Sequence, residues 1–214
     1  MSEKKKIIIT IARQYGSGGA DTGKKLAEDL GISFYDKNIL RMNSDESGIK
    51  ESYFHLADEK AGNRLLYKII NTLTPEKGAP SFGSDLISAD NLFRFQSEVI
   101  RKLAAEESCV IIGRCADVIL KDYHPLNLFI YADMEAKVER CIRRAPEGEH
   151  LTRNEIERMI KQVDKNRAQY RQMYSDTKWG AKESYHLCVN TTEKYMKEIV
   201  PGLAAYVRCW FSEE

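Results

Sequence analysis

Short runs of consecutive apolar residues punctuate the chain, and most are β-branched. Ile7-Ile8-Ile9-Thr10-Ile11-Ala12, Cys109-Val110-Ile111-Ile112, Leu126-Asn127-Leu128-Phe129-Ile130-Tyr131 and Tyr185-His186-Leu187-Cys188-Val189 are the clearest. Runs of this kind fit strands covered on both faces, as in a parallel sheet, better than strands with one wet face. Between them apolar residues recur at helical spacing. Leu26, Ala27 and Leu30 mark a first helix that Gly31 ends, Val99, Ile100, Leu103 and Ala104 a second, and Val138, Cys141 and Ile142 a third. Strands alternating with helices predict an α/β fold with a parallel sheet and right-handed crossovers.

The second half carries two further helix signals. Thr152-Arg153-Asn154-Glu155 has capping-box spacing and opens a long charged helix through Ile156, Met159, Ile160 and Val163 toward Tyr170. Tyr195, Ile199, Leu203, Tyr206, Val207 and Trp210 form a last stripe, expected to pack on the sheet. From about 42 to 89 the pattern differs. Helical segments at Ile49–His55 and Leu65–Leu73 precede a loop with Pro75, Gly78, Pro80 and Gly83, which reads as a helical insertion. The expectation is one domain, 1–214, with its core in 1–41 and 90–214.

Composition narrows the function classes. Lysine and arginine number 33 against 32 aspartates and glutamates, so the net charge of +1 gives no general attraction to nucleic acid or an anionic membrane. Any anion site must be local. Cys109, Cys115, Cys141, Cys188 and Cys209 are odd in number, scattered and free of metal-ligand spacing, and read as reduced intracellular thiols mostly in the core. The run Ile7 to Ala12 after a basic start is shorter than a signal-peptide core, and no stretch is long enough to span a bilayer. A soluble cytoplasmic protein is expected.

The chemistry concentrates after the first strand, in Ala12-Arg13-Gln14-Tyr15-Gly16-Ser17-Gly18-Gly19-Ala20-Asp21-Thr22-Gly23-Lys24-Lys25. Glycines at 16, 18 and 19 let successive amides point inward, and the helix that follows adds its positive end, which together suit a phosphate. A tight strand-to-helix turn without a ligand is the alternative. Gly18-x-x-x-x-Gly23-Lys24 nearly matches the Walker A pattern, but Lys25 stands where a magnesium-binding hydroxyl belongs. That register also leaves only Lys24 to Leu30 for the helix. A loop beginning at Arg13 keeps the helix long, puts Gly19 at the lysine position and puts Asp21 at the hydroxyl position.

Ile9 to Gly19, with Leu26-Ala27-Glu28, Phe34-Tyr35-Asp36-Lys37, Ile112-Gly113-Arg114-Cys115-Ala116-Asp117, Asp164-Lys165-Asn166-Arg167, Trp179-Gly180 and Asn190-Thr191-Thr192, resembles the cytidylate kinase-like family over nearly the whole chain. The resemblance implies a three-layer P-loop NTPase-like fold with a short lid, at about 143–153. It implies transfer of a phosphoryl group from ATP, with Mg2+, to a nucleoside monophosphate such as CMP or dCMP. Donor phosphates would lie on Gly16, Ser17, Gly18, Gly19, Ala20 and Asp21, with Arg13 beside them and Asp21 as a direct magnesium ligand. Asp36, Lys37, Arg41, Arg114, Asp117, Asp164 and Arg167 would hold the acceptor, and Arg143 or Arg144 would close from the lid.

Plainer roles stand beside these. Asp164 and Arg167 are spaced as an intrahelical ion pair, and Arg140, Arg143 and Arg144 could be a solvated face. Trp179 and Tyr185 are expected to pack rather than stack on a base. Because lysine and hydroxyl are both replaced in the loop, a non-catalytic nucleotide sensor or scaffold on a kinase fold, or a kinase for another small metabolite, remains a competing reading.

Overall fold

The computed structural model describes residues 6–36, 89–146 and 151–212. The expected helical insertion at about 42–89 lies outside them but for Ala89, as do Lys37, Arg41 and residues 147–150 of the expected lid. Five strands form one parallel sheet: β1 (Ile8–Arg13), β2 (Ser33–Tyr35), β3 (Cys109–Ile112), β4 (Leu126–Tyr131) and β5 (Leu187–Asn190), in the order β2-β3-β1-β4-β5. All four pairings are parallel, with Ile8 opposite Cys109 and Ile9 opposite Leu126 on the two sides of β1. The continuous apolar runs are thereby explained, since the strands of such a sheet are covered on both faces.

Alternation along each strand sorts the core into two layers. Ile8, Cys109 and Ile111 face Val99, Ile100 and Leu103 of α2 (Ala89–Glu106) and Ala116 and Ile119 of α3 (Ala116–Ile119). Ile9, Ile11, Val110, Ile112, Leu126, Leu128 and Ile130 face Leu26 and Ala27 of α1 (Gly19–Leu30) and Leu203, Ala204 and Val207 of the C-terminal helix α6 (Met196–Phe211). The fold is therefore a three-layer α/β sandwich. A smaller cluster of Val138, Ile156 and Ile160 joins α4 (Met134–Arg144) to α5 (Arg153–Tyr174).

Local signals place the helix ends. Gly31 is left-handed at φ 65° and its amide donates to Ala27 O and Glu28 O, closing α1 where expected. Thr152 and Glu155 form the full capping box that opens α5. The stripe of α6 is buried only in its middle. Tyr195 precedes the helix as its N-cap and Trp210 lies at its far end, so both are exposed. Among the described residues no helix is long and apolar enough to cross a membrane.

The cysteines are all free, but only Cys109 and Cys115 are fully buried. Burial pushes the thiol of Cys109 up to about 12 and those of Cys115 and Cys141 up to about 11. A thiol whose pKa is raised stays protonated at neutral pH and reacts slowly. In the native protein at pH 7.5, alkylation with peptide mapping is expected to label the exposed Cys209 well before Cys109, Cys115 or Cys141. Labelling of Cys141 as fast as Cys209 would contradict this packing.

Candidate active site

β1 ends at Arg13, and α1 begins at Gly19, so the connecting loop spans Gln14 to Gly18. This is the early register, with Lys24 inside α1 rather than at the loop. Gly16 and Gly18 take φ 73° and 78°, a left-handed region in which a side chain is strained. Gly18 is the N-cap of α1 and has no side chain to satisfy the first-turn amides, which a helix leaves without intrahelical partners. The amides of Gly19, Ala20 and Asp21 are thus presented at the positive end of a twelve-residue helix, an arrangement suited to phosphate.

The outside of this loop is braced by α4, α5 and β5. The Tyr15 amide donates to Asp164 Oδ1 at 2.7 Å, and Arg167 Nη1 donates to Arg13 O at 2.9 Å. Lys137 on α4, 4% exposed, reaches Gln14 Oε1 at 3.2 Å and Asp164 Oδ2 at 3.4 Å. Ser17 turns its hydroxyl to Gln14 O, while its carbonyl accepts from Thr191 Oγ1 at 2.7 Å and from Arg140 Nη1 at 3.4 Å. Thr22 is occupied as well, donating to Gly18 O at 3.0 Å beside the Met196 thioether.

Arg13 takes an unexpected path. A Cβ at Gly19 would come within 2.5 Å of Arg13 Cβ, and one at Gly113 would collide with Arg13 Nη1. Its side chain therefore runs past the start of α1 and ends beside Gly113, just after β3. Burial, then Arg167 and Arg114, push the Arg13 pKa down, against the pull of Asp36 and Asp164. Burial likewise lowers Arg167 and raises the Asp164 carboxyl, although the Tyr15 amide, Arg167 and Lys137 all favour its ionised form. Three guanidiniums and two carboxylates thus act on one another electrostatically at the C-terminal edge of the sheet, where open α/β sheets bind ligands. The surplus positive charge suits an acidic group.

Arg114 lies in a turn of its own. Gly113, Arg114 and Cys115 are all left-handed, at φ 73°, 55° and 52°. Its guanidinium interacts with the Tyr170 hydroxyl, and its buried Nε has no partner. Asp117 is engaged elsewhere, in a buried ion pair with Arg171 at 2.6 Å. Asp21 pairs with Arg144 across the front of the loop, both groups being roughly half exposed. Arg143 is exposed near the end of α4. Trp179 and Tyr185 pack on Phe129, as expected.

The structure therefore brings Arg13, Asp36, Arg114, Asp164 and Arg167 together beside the glycine loop, sets Asp21 with Arg144 in front of it, and engages Asp117 with Arg171. Sequence reasoning missed Gln14, Lys137 and Arg171. A signal existed for Lys137, which continues the apolar stripe of Met134, Val138 and Cys141 and so had to be buried or paired. Arg171 similarly extends the buried stripe of Ile156 and Ile160 through Asp164 and Arg167.

Comparison with known proteins agrees with this fold. A family model described as the cytidylate kinase-like family matches residues 8–193. An uncharacterized protein from Eubacterium ventriosum has a similar structure, with TM-score 0.66, 27% identity, and coverage of 94% of this chain and 98% of that one. Shikimate kinase from Bacteroides thetaiotaomicron shares the fold at TM-score 0.50 and 13% identity, covering 95% of this chain and 97% of its own. No curated protein matches the sequence.

The close approach of Arg13 to Gly19 has a direct test. Gly19→Lys, which restores a lysine at the usual position, is expected to lower the unfolding free energy by about 1–3 kcal/mol through overpacking. The double variant Arg13→Gly, Gly19→Lys should regain most of that loss in urea titrations. A single variant as stable as the parent would show that the two side chains do not compete for space.

Proposed function

The chain belongs to the cytidylate kinase-like family, and from that premise we propose that it transfers the γ-phosphoryl of ATP to the phosphate of a small acceptor, CMP or dCMP. The observation that carries this reading is the adjacency of two anion sites of different build. One is a loop of backbone amides at a helix start; the other is a cluster of three guanidiniums at the neighbouring strand end. Phosphoryl transfer needs little covalent help from a protein and depends on in-line placement and on positive charge around the moving oxygens.

In this reading the amides from Gly16 to Asp21 hold the donor phosphates, and Arg114 with Arg13 holds the acceptor phosphate. Arg167 and Asp164 keep the loop closed around the donor through the Arg13 carbonyl and Tyr15 amide. Arg13 also replaces the absent loop lysine, but from the acceptor side, so that its charge lies between the two phosphates. Lys37 and Arg41 retain the acceptor role that the family resemblance implies, as does Asp36, which acts electrostatically on Arg13.

In the same reading Mg2+ would be held near the donor by Asp21, on the first turn of α1. One half-exposed carboxylate suits a cation that keeps most of its water and takes its other ligands from phosphate. Bound there, Mg2+ would offset charge on the donor oxygens. Arg144 must release Asp21 for this, which leaves its guanidinium at the front of the loop, and Arg143 lies on the same helix. A nucleotide-binding protein without turnover is the second reading, favoured by the missing lysine and by Thr22 being turned inward.

Calorimetry with ATP, CMP and dCMP, paired with a coupled ADP-release assay, tests the proposal. Turnover with CMP or dCMP is expected, and Arg13→Ala should lower kcat/KM by about 100-fold or more. Lys24→Ala should change it less than about threefold, since Lys24 lies inside α1, beyond the loop amides. The reverse ranking would return the phosphate site to the Gly18-to-Lys24 register. Tight ATP binding without turnover of either acceptor would favour the second reading.

A further inference from the structure

Gly113, Arg114 and Cys115 form a run of three left-handed residues, two of them with side chains. Such conformations are costly for L-residues and persist only where the surroundings over-determine them. The local hydrogen bonds are ordinary ones for a turn entering a helix: Ala116 N to Gly113 O, and Val118 and Ile119 N to Cys115 O. What distinguishes the segment is Asp117, two residues on, whose carboxylate is held by Arg171 at 2.6 Å with both side chains less than 10% exposed. Arg171 is itself tied down, with Nε on Thr177 O at 3.1 Å and Nη2 on Thr177 Oγ1 at 2.6 Å. It also lies over the Tyr185 ring.

Tyr170, next to Arg171 on α5, meets the Arg114 guanidinium directly, and one turn earlier Arg167 holds the Arg13 carbonyl. A single helix thus fixes the strained turn at two points, the backbone through Asp117 and the side chain through Tyr170. The geometry points to Asp117 and Arg171 as a positioning pair: they hold the 113–115 turn left-handed, so that Arg114 stays aimed at the acceptor phosphate. Neither residue touches substrate. The unpartnered Nε of Arg114 fits this assignment, because a guanidinium aimed at a ligand need not be satisfied by the protein. This inference rests on the acceptor role given to Arg114 above, and it assigns Asp117 a structural link in place of acceptor contact.

The test is the double variant Asp117→Asn, Arg171→Met, which removes both charges at similar volume and so avoids stranding one of them. Calorimetry should show CMP affinity falling at least about tenfold, as misplacement of a positioned group does, with ATP affinity unchanged. Adding Arg114→Ala to the double variant should cost nothing beyond Arg114→Ala alone. Thr177→Val, which loosens Arg171 and keeps both charges, should give the same pattern in smaller measure if the double variant folds poorly. Retained CMP affinity, equal losses of CMP and ATP, or additive losses would each overturn the pair. If the parent binds no CMP, the acceptor reading itself fails. The pair then stands or falls on amide hydrogen exchange at Val118, Ile119 and Leu120: faster exchange in the double variant supports it and unchanged exchange refutes it.

Discussion

Three guanidinium groups share one edge of the sheet with two carboxylates, and much of the surrounding structure keeps that charge in place. Like charges brought together out of water repel, and each also loses hydration, which is why burial and the neighbouring arginines lower the Arg13 pKa together. Nothing in the local backbone would hold such a cluster alone. The restraint comes from α5, whose Asp164, Arg167, Tyr170 and Arg171 lie along one face and reach, in turn, the Tyr15 amide, the Arg13 carbonyl, the Arg114 guanidinium and Asp117. On the proposed reading, an anion arriving at this edge would relieve that repulsion.

Arg13 and Gly19 share the space in which a loop of this kind could carry a lysine. A cation emerging from the first helical turn and one emerging from the end of β1 would compete for the same space, as the 2.5 Å approach at Gly19 shows. This chain takes the second option and carries the charge across to Gly113. On the proposed reading that charge would lie between donor and acceptor and approach from the strand. The amides of the loop would then be left to the donor alone.

The fold was largely legible in the sequence because a parallel sheet writes itself as uninterrupted apolar runs, and four of the five described strands, all but the short β2, fall on such runs. The register of the loop was legible for a related reason: only a start at Arg13 leaves α1 its twelve residues. Partners were harder to read. The spacing of Asp164 and Arg167 suggests an intrahelical pair, which exists at 3.6 Å, yet their stronger bonds go to the backbone of a loop about 150 residues away. Asp117 sits near Arg114 in sequence, yet nothing in the spacing announces the ion pair that its carboxylate makes with Arg171 on α5. Pattern reveals which face a residue occupies. It does not reveal what arrives on that face from elsewhere in the chain.

The strand order carries a consequence for how the molecule comes into being. β1 lies at the centre of the sheet, yet both of its neighbours, β3 and β4, follow it by more than a hundred residues. Loop-closure entropy must be overcome before such distant partners reward each other, which slows folding and prolongs exposure of unpaired apolar strands. On a ribosome, Ile8 to Arg13 would wait unpaired until the chain had been made through β3. The basic residues just ahead of it, Lys4 to Lys6, would then serve as gatekeepers that keep this first strand from pairing with the wrong chain.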